Sequence, residues 1–125
     1  MVIYLDRTIA SSHILSNPEM SEQWNLDTFG KCHQSIHGHN FRCEIWLEGQ
    51  IDKDTGMVVN FNEIKKIIDS LDHKHLNDVV DFIPTVENLV VYFIGELKNV
   101  GSANSIKVRV WETDKAFAED EWRTS

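Results

Sequence analysis

Cysteine is scarce in this chain: Cys32 and Cys43 are its only two. Two thiols do not make a disulfide framework, and with no sign of an oxidising compartment a Cys32–Cys43 bridge is not expected. Long apolar runs are also missing. The opening Met1-Val2-Ile3-Tyr4-Leu5 gives way to Asp6 and Arg7 too soon for a signal-peptide core or a membrane span. The expectation is therefore a cytoplasmic protein with no membrane partner. Basic residues are outnumbered, 12 against 20 acidic, for a net charge of −8. Such a field opposes nucleic-acid binding, which depends on neutralising phosphates, and it runs more mildly against a polyanionic substrate. No repeat, linker or low-complexity stretch breaks the chain, so residues 1–125 read as one domain, large enough to own a core.

What is present is alternation. Residues 2–13 read as a strand with Ile3, Leu5, Ile9, Ser11 and His13 on one face. Residues 14–31, with Pro18 and mixed polar side chains, read as a long loop with room for a short helical turn; loops of that length in compact domains tend to be functional or disordered. Alternation resumes from His39 to Leu47, where Phe41, Cys43, Ile45 and Leu47 share a face. Asp52-Lys53-Asp54-Thr55-Gly56 supplies turn chemistry, and Met57–Phe61 reads as the returning strand of a hairpin.

Two helices follow. Asn60 can cap the first, with Glu63 in the capping-box position and Ile64, Ile67, Ile68 and Leu71 forming its apolar stripe. Thr85 caps the second, Glu87 sits in its first turn, and Val86, Leu89, Val90, Phe93 and Leu97 form its buried face. The last strand runs from Ser105 to Thr113, with Ile106, Val108 and Val110 on the apolar side. If the alternation continues, Glu112 falls on that side and must pair or take a raised pKa; if the strand ends at Val110, it is solvated. The order β, loop, β-hairpin, α, α, β gives an α+β fold, a small antiparallel sheet with two helices on one face. The opposite face, with Arg42, Glu44, Trp46, Lys107 and Arg109, is too polar for a second core and suits an assembly interior or a wet surface.

Chemistry concentrates around Cys32 and His37-Gly38-His39. Residues two apart on a strand project to the same side, and Gly38 between them leaves room for a close approach. An H-x-H alone is more readily a turn with two solvated histidines than two of the three ligands of a metal site. His13 extends the equivalent face of the first strand, and three imidazoles are what an open zinc site requires.

Five segments in order carry a resemblance: Gly30-Lys-Cys-x4-His-Gly-His-Asn-Phe, Asp54-x-Thr-Gly-Met-Val-Val-Asn-Phe, Leu71-Asp-His-Lys-His-Leu-Asn, Pro84-Thr-Val-Glu-Asn and Val110-Trp-Glu-Thr. Together they resemble the 6-pyruvoyltetrahydropterin synthase superfamily, which includes the 6-carboxytetrahydropterin synthases of queuosine biosynthesis. The resemblance implies that His13, His37 and His39 bind zinc and that Cys32 is the catalytic proton acceptor. It implies that Asp72 and His73 form a relay pair, working with a cysteine from a neighbouring subunit. Glu112 would anchor the pterin ring and join the relay, and Thr85 and Glu87 would complete the pterin pocket. It also implies the tunnelling fold (T-fold), a homo-oligomeric barrel (a trimer or dimer of trimers) with active sites between subunits.

The implied substrate, 7,8-dihydroneopterin triphosphate, asks for these residue types. A three-histidine zinc leaves positions open to side-chain hydroxyls and acts on them as a Lewis acid. A thiol held as thiolate is a suitable base, an Asp-oriented imidazole can pass protons on, and a carboxylate can accept two donors from the aminopyrimidine edge. Two outcomes share that start: cleavage to a 6-carboxy product, acetaldehyde and triphosphate, or elimination of triphosphate to a pyruvoyl product. Four residues separate Cys32 from His37, one more than is usual in the carboxy-forming group and one fewer than in animal pyruvoyl-forming enzymes. The compact length and the ending Trp111-Glu-Thr…Ala118-Glu119 favour the carboxy-forming type. The alternatives are the pyruvoyl-forming synthase and a non-catalytic zinc- or pterin-binding module.

Overall fold

The computed structural model describes residues 1–124. Strand β1, Val2–His13, pairs antiparallel with β2, His37–Glu48, along its whole length. Strand β3, Ser105–Thr113, takes the other edge of β2, and β4, Ala116–Arg123, closes the order β1-β2-β3-β4. Between the first two strands lie α1, Glu22–Phe29, and α2, Lys31–Gln34; between β2 and β3 lie α3, Phe61–Asp69, α4, Leu76–Val79, and α5, Val86–Leu97.

The core forms where one face of the sheet meets α3 and α5. Ile9, Phe41, Cys43, Ile45, Leu47, Ile106, Val108 and Val110 supply the sheet side, and Ile64, Ile68, Leu89, Phe93 and Leu97 the helical side. Each such side chain, once buried, contributes on the order of 1.5–3 kcal/mol. The expected parity of all three strands is present. Both caps are as expected: the Asn60 side chain accepts from the Asn62 backbone, and the Thr85 hydroxyl accepts from the Asn88 backbone.

Three expectations are corrected. Residues 14–31 are not mainly loop, because Ser21 caps α1 and buried Asn25 gathers the preceding turn, its amide donating to the Asn17 and Ser21 carbonyls while accepting from the Asn17 backbone. Met57–Phe61 is not a returning strand. The Asp52 turn is real, its carboxylate accepting from the Asp54 and Thr55 backbones, but β2 has β1 on one edge and β3 on the other, so no edge remains for a hairpin partner. Finally, β3 is not the last strand. Strand β4 carries little apolar alternation: its sequence, AFAEDEWR, holds three consecutive acidic residues and packs only Ala118 and Trp122 against the core.

The opposite face of the sheet is the polar, aromatic one. Buried Glu44 accepts from the Tyr4 hydroxyl at 2.5 Å and the Trp111 indole at 2.6 Å, with the Arg42 and Arg109 guanidinium groups at 3.7 Å. Burial alone would raise the Glu44 pKa; the two donors and two cations outweigh it and hold the carboxyl below the usual range. Among the described residues, no helix is long and apolar enough to cross a membrane.

Candidate metal centre and active site

The β1–β2 register places His13 directly opposite His37 and Ser11 opposite His39. All three rings therefore leave the same face at the same end of the sheet. Their centroids lie 4.5 Å (His13–His37) and 5.1 Å (the other two pairs) apart, and one nitrogen from each lies within 4.8 Å of the others. His13 is fully buried and Phe41 packs edge-on beneath it.

The orientation of the rings tests whether they fit a metal. His13 Nδ1 donates to the Pro84 carbonyl at 2.8 Å, and His37 Nδ1 donates to the Ser35 carbonyl at 3.0 Å. A carbonyl oxygen can only accept, so the proton of each neutral ring sits on Nδ1 and the Nε2 lone pair is bare. His13 Nε2 and His39 Nε2 are buried without a hydrogen-bond partner. A buried polar atom left unpaired costs about 1–3 kcal/mol, a cost that a cation shared by the three rings would remove. Burial pushes the pKa of His13 down, against the opposing pull of the Pro84 carbonyl, and does the same for His39. Both rings are thereby held in the neutral form a metal requires. The donor set fits a divalent ion, and three imidazoles with an open position suit zinc.

Glu112 sits at a bulge near the end of β3, between Trp111 and Thr113. Its carboxylate lies 3.8 Å from His39 Nε2. It therefore stays on the site side of the strand, close to His39 but beyond hydrogen-bond reach. Beside it a cavity of about 460 Å³ is lined by Thr8, Asn40, Arg42, Trp111, Thr113 and Asp114. Alternation could find Glu112; Arg42 and Asn40 become neighbours of this cavity only through the strand register.

Asp72 and His73 are fixed against the exposed edge of β1. The Asp72 carboxylate accepts from the Ala10 backbone at 2.8 Å, and the His73 backbone donates to the Ala10 carbonyl at 2.7 Å. His73 takes a left-handed backbone with φ of 54°, which costs a non-glycine residue energy and is held here by those two bonds. Its Nε2 is 3.5 Å from Asp72, and its ring is exposed. His39 and His73, with Ser12, Lys74 and His75, line one open cavity of about 520 Å³. Gly38 also lines it; a Cβ there would meet only the Ser11 carbonyl, at an ordinary 3.5 Å, so this chain's own packing does not demand glycine.

Cys32 is half-buried on α2 and is not among the three clustered metal donors. Its carbonyl accepts from the Leu15 backbone at 2.8 Å, which ties α2 to the chain just past His13. Thr85 caps α5 beside Pro84, the residue that orients His13, while Glu87 is exposed in the first turn. Neither lines the Glu112 cavity within this chain. The carbonyls of Pro84 and Ser35, which fix two of the rings, are backbone groups that no side-chain pattern reveals.

The 6-pyruvoyl tetrahydropterin synthase family model matches residues 2–121. The 6-pyruvoyl tetrahydrobiopterin synthase of Homo sapiens is 39% identical over 118 residues, covering 86% of this chain and 81% of that protein. An Archaeoglobus fulgidus protein provisionally named 6-carboxy-5,6,7,8-tetrahydropterin synthase is 38% identical over 88 residues, covering 67% and 74%. The structure of Caenorhabditis elegans 6-pyruvoyl tetrahydropterin synthase superposes with a TM-score of 0.75 at 29% identity, covering 100% of this chain and 97% of that one. With its four-stranded sheet, its helices and its histidine cluster, the chain belongs to the 6-pyruvoyl tetrahydropterin synthase family and has its T-fold.

Proposed function

We propose that this protein is a zinc-dependent lyase acting on 7,8-dihydroneopterin triphosphate. The observation that carries the reading is the convergence of His13, His37 and His39, with two buried nitrogens unpaired; of the three, His39 also lines the cavity that His73 lines. Zinc held by the three histidines would supply Lewis-acid polarisation of the substrate's side-chain hydroxyls. Cys32 serves as the base that takes a proton from the adjacent carbon. His73, oriented by Asp72, moves protons at its Nε2 on a ring that is exposed. Glu112 accepts hydrogen bonds from the amino and ring N–H groups of the pterin, and Thr85 and Glu87 recognise the ring from a neighbouring subunit. That division of the pocket agrees with the two sets of residues lying apart in a single chain, and it makes a homo-oligomer, a trimer or a dimer of trimers, the working form in the cytoplasm.

For the outcome, side-chain cleavage to 6-carboxytetrahydropterin, acetaldehyde and triphosphate is the first reading. It is supported by the ending Trp111-Glu112-Thr113…Ala118-Glu119 and by the similarity to the Archaeoglobus fulgidus protein. This reaction would place the protein in queuosine or related 7-deazaguanine biosynthesis. The second reading, loss of triphosphate to give 6-pyruvoyltetrahydropterin, is favoured by the more extensive match to the human synthase. Incubation of the zinc-loaded protein with 7,8-dihydroneopterin triphosphate separates the two. Acetaldehyde accompanies the first product and is absent from the second. Retention of zinc and pterin with no turnover of that substrate would instead leave a binding module.

A further inference from the structure

His33 follows Cys32 directly, and no step above uses it. Its ring is nearly buried, with side-chain exposure of 10%, and both of its nitrogens are engaged. Nδ1 donates to the Leu15 carbonyl at 3.1 Å; Nε2 faces both oxygens of the Glu22 carboxylate at 3.0 and 3.1 Å. Leu15 returns a bond, its backbone N–H donating to the Cys32 carbonyl at 2.8 Å. Leu15 lies two residues beyond the metal ligand His13, and Glu22 is the first residue of α1. One imidazole therefore joins the segment leaving β1, the start of α1, and the four-residue helix that carries the thiol. A helix this short has no stability of its own and is held by such contacts.

We infer that His33 is a positioning residue for Cys32: through Leu15 and Glu22 it clamps α2 and sets where the thiol stands relative to the three-histidine cluster. The inference rests on the reading above, in which Cys32 is the proton acceptor. A base must sit within hydrogen-bond reach of the proton it takes, and misplacement by about 1 Å can cost ~10²-fold. The two arms of the clamp are unequal. The bond to Leu15 reaches toward the metal cluster, whereas Glu22 is mostly exposed, with 75% of its side-chain surface accessible. The Leu15 arm is the one that positions the thiol.

The experiment compares His33→Ala, His33→Asn, His33→Gln and Glu22→Gln in the zinc-loaded, full-length protein. An asparagine amide nitrogen overlays on Nδ1 and keeps the Leu15 arm; a glutamine nitrogen overlays on Nε2 and keeps only the Glu22 arm. The expected result is a fall in kcat of about 10- to 100-fold for His33→Ala and His33→Gln, with KM little changed, zinc content unchanged and His33→Asn substantially restored. Iodoacetamide gives a second readout that does not depend on turnover. Cys43 is fully buried with its thiol pushed up to about 12, so alkylation reports Cys32. The Cys32 rate should change severalfold in His33→Ala and His33→Gln and stay near wild type in His33→Asn.

Equal kcat in His33→Ala and wild type, an unchanged alkylation rate, loss of zinc, or equal impairment of the Asn and Gln variants would each overturn the inference. If the Ala variant does not fold, the Asn–Gln pair decides. A wild-type protein without turnover would sink the reading of the function, while the alkylation comparison would still test the clamp.

Discussion

His13 Nδ1 donates to the carbonyl of Pro84 across 2.8 Å, joining the end of β1 to the cap of α5, seventy-one residues away in sequence. A ring of the histidine cluster is thus oriented by the residue that precedes a helix cap. Thr85→Ala removes the hydroxyl that accepts from Asn88 and should lower unfolding free energy by about 1 kcal/mol in urea titrations. Zinc affinity should fall with it, because loosening an outer hydrogen bond to a ligand histidine weakens metal binding. Thr85→Ser should restore both.

The histidine cluster has its own signature. His37→Ala should reduce bound zinc from one ion per chain to near zero, measured by plasma mass spectrometry, while circular dichroism stays native. In the zinc-free protein the sign of the pH dependence follows from burial. His13 and His39 have lowered pKa values in the fold, so the unfolded chain binds the extra protons. Their contribution is therefore fully present above the unfolded value near 6.5 and is lost as the pH falls through the lower folded values. Urea melts of the zinc-free protein should show lower stability at pH 5.5 than at pH 7.5, and zinc should steepen the trend because it competes with those protons.

On the other face of the sheet, Glu44→Ala leaves the Tyr4 hydroxyl and Trp111 indole without an acceptor and should cost about 2–3 kcal/mol. Glu44→Gln keeps an acceptor but not the charge. The folded pKa of Glu44 is depressed, so the contribution of its charge is present above the unfolded value of about 4.3 and disappears as the pH falls through the folded one. The stability gap between wild type and Glu44→Gln should accordingly narrow below about pH 4, read by denaturant unfolding at stepped pH.

Asp72 holds the Ala10 backbone with one oxygen and faces His73 with the other. Asp72→Asn retains the backbone bond through its amide oxygen but loses the negative charge beside the imidazole. Turnover should fall by about 10²-fold with a nearly unchanged melting temperature. Asp72→Ala should lose activity and stability together, since the Ala10 N–H loses its acceptor and the strained His73 backbone keeps only one of its two supporting bonds.

Much of this molecule was legible in the sequence because period-two patterning is a local signal. The parity of β1, β2 and β3 and the shared face of His13, His37 and His39 follow from it, and the caps Asn60 and Thr85 follow from equally local helix-start chemistry. What escaped depends on distant partners. Strand β4 is held by its ladder to β3 and by Arg109, which pairs with Glu119 at 2.6 Å, rather than by apolar alternation. Helix α1 buries only the polar Asn25. The hairpin after β2 failed because both edges of β2 were already taken, a property of the whole sheet. The same limit hid the His33 clamp, whose partners Leu15 and Glu22 lie eighteen and eleven residues upstream.

The most direct measurement is product analysis by mass spectrometry after zinc-loaded protein is mixed with 7,8-dihydroneopterin triphosphate, run beside Cys32→Ala and His37→Ala. The wild type should release triphosphate and form a tetrahydropterin, with acetaldehyde accompanying the carboxy product, and both variants should lose turnover. A zinc-loaded wild type that leaves the substrate intact, or a Cys32→Ala variant that turns over at the wild-type rate, would contradict the proposed function.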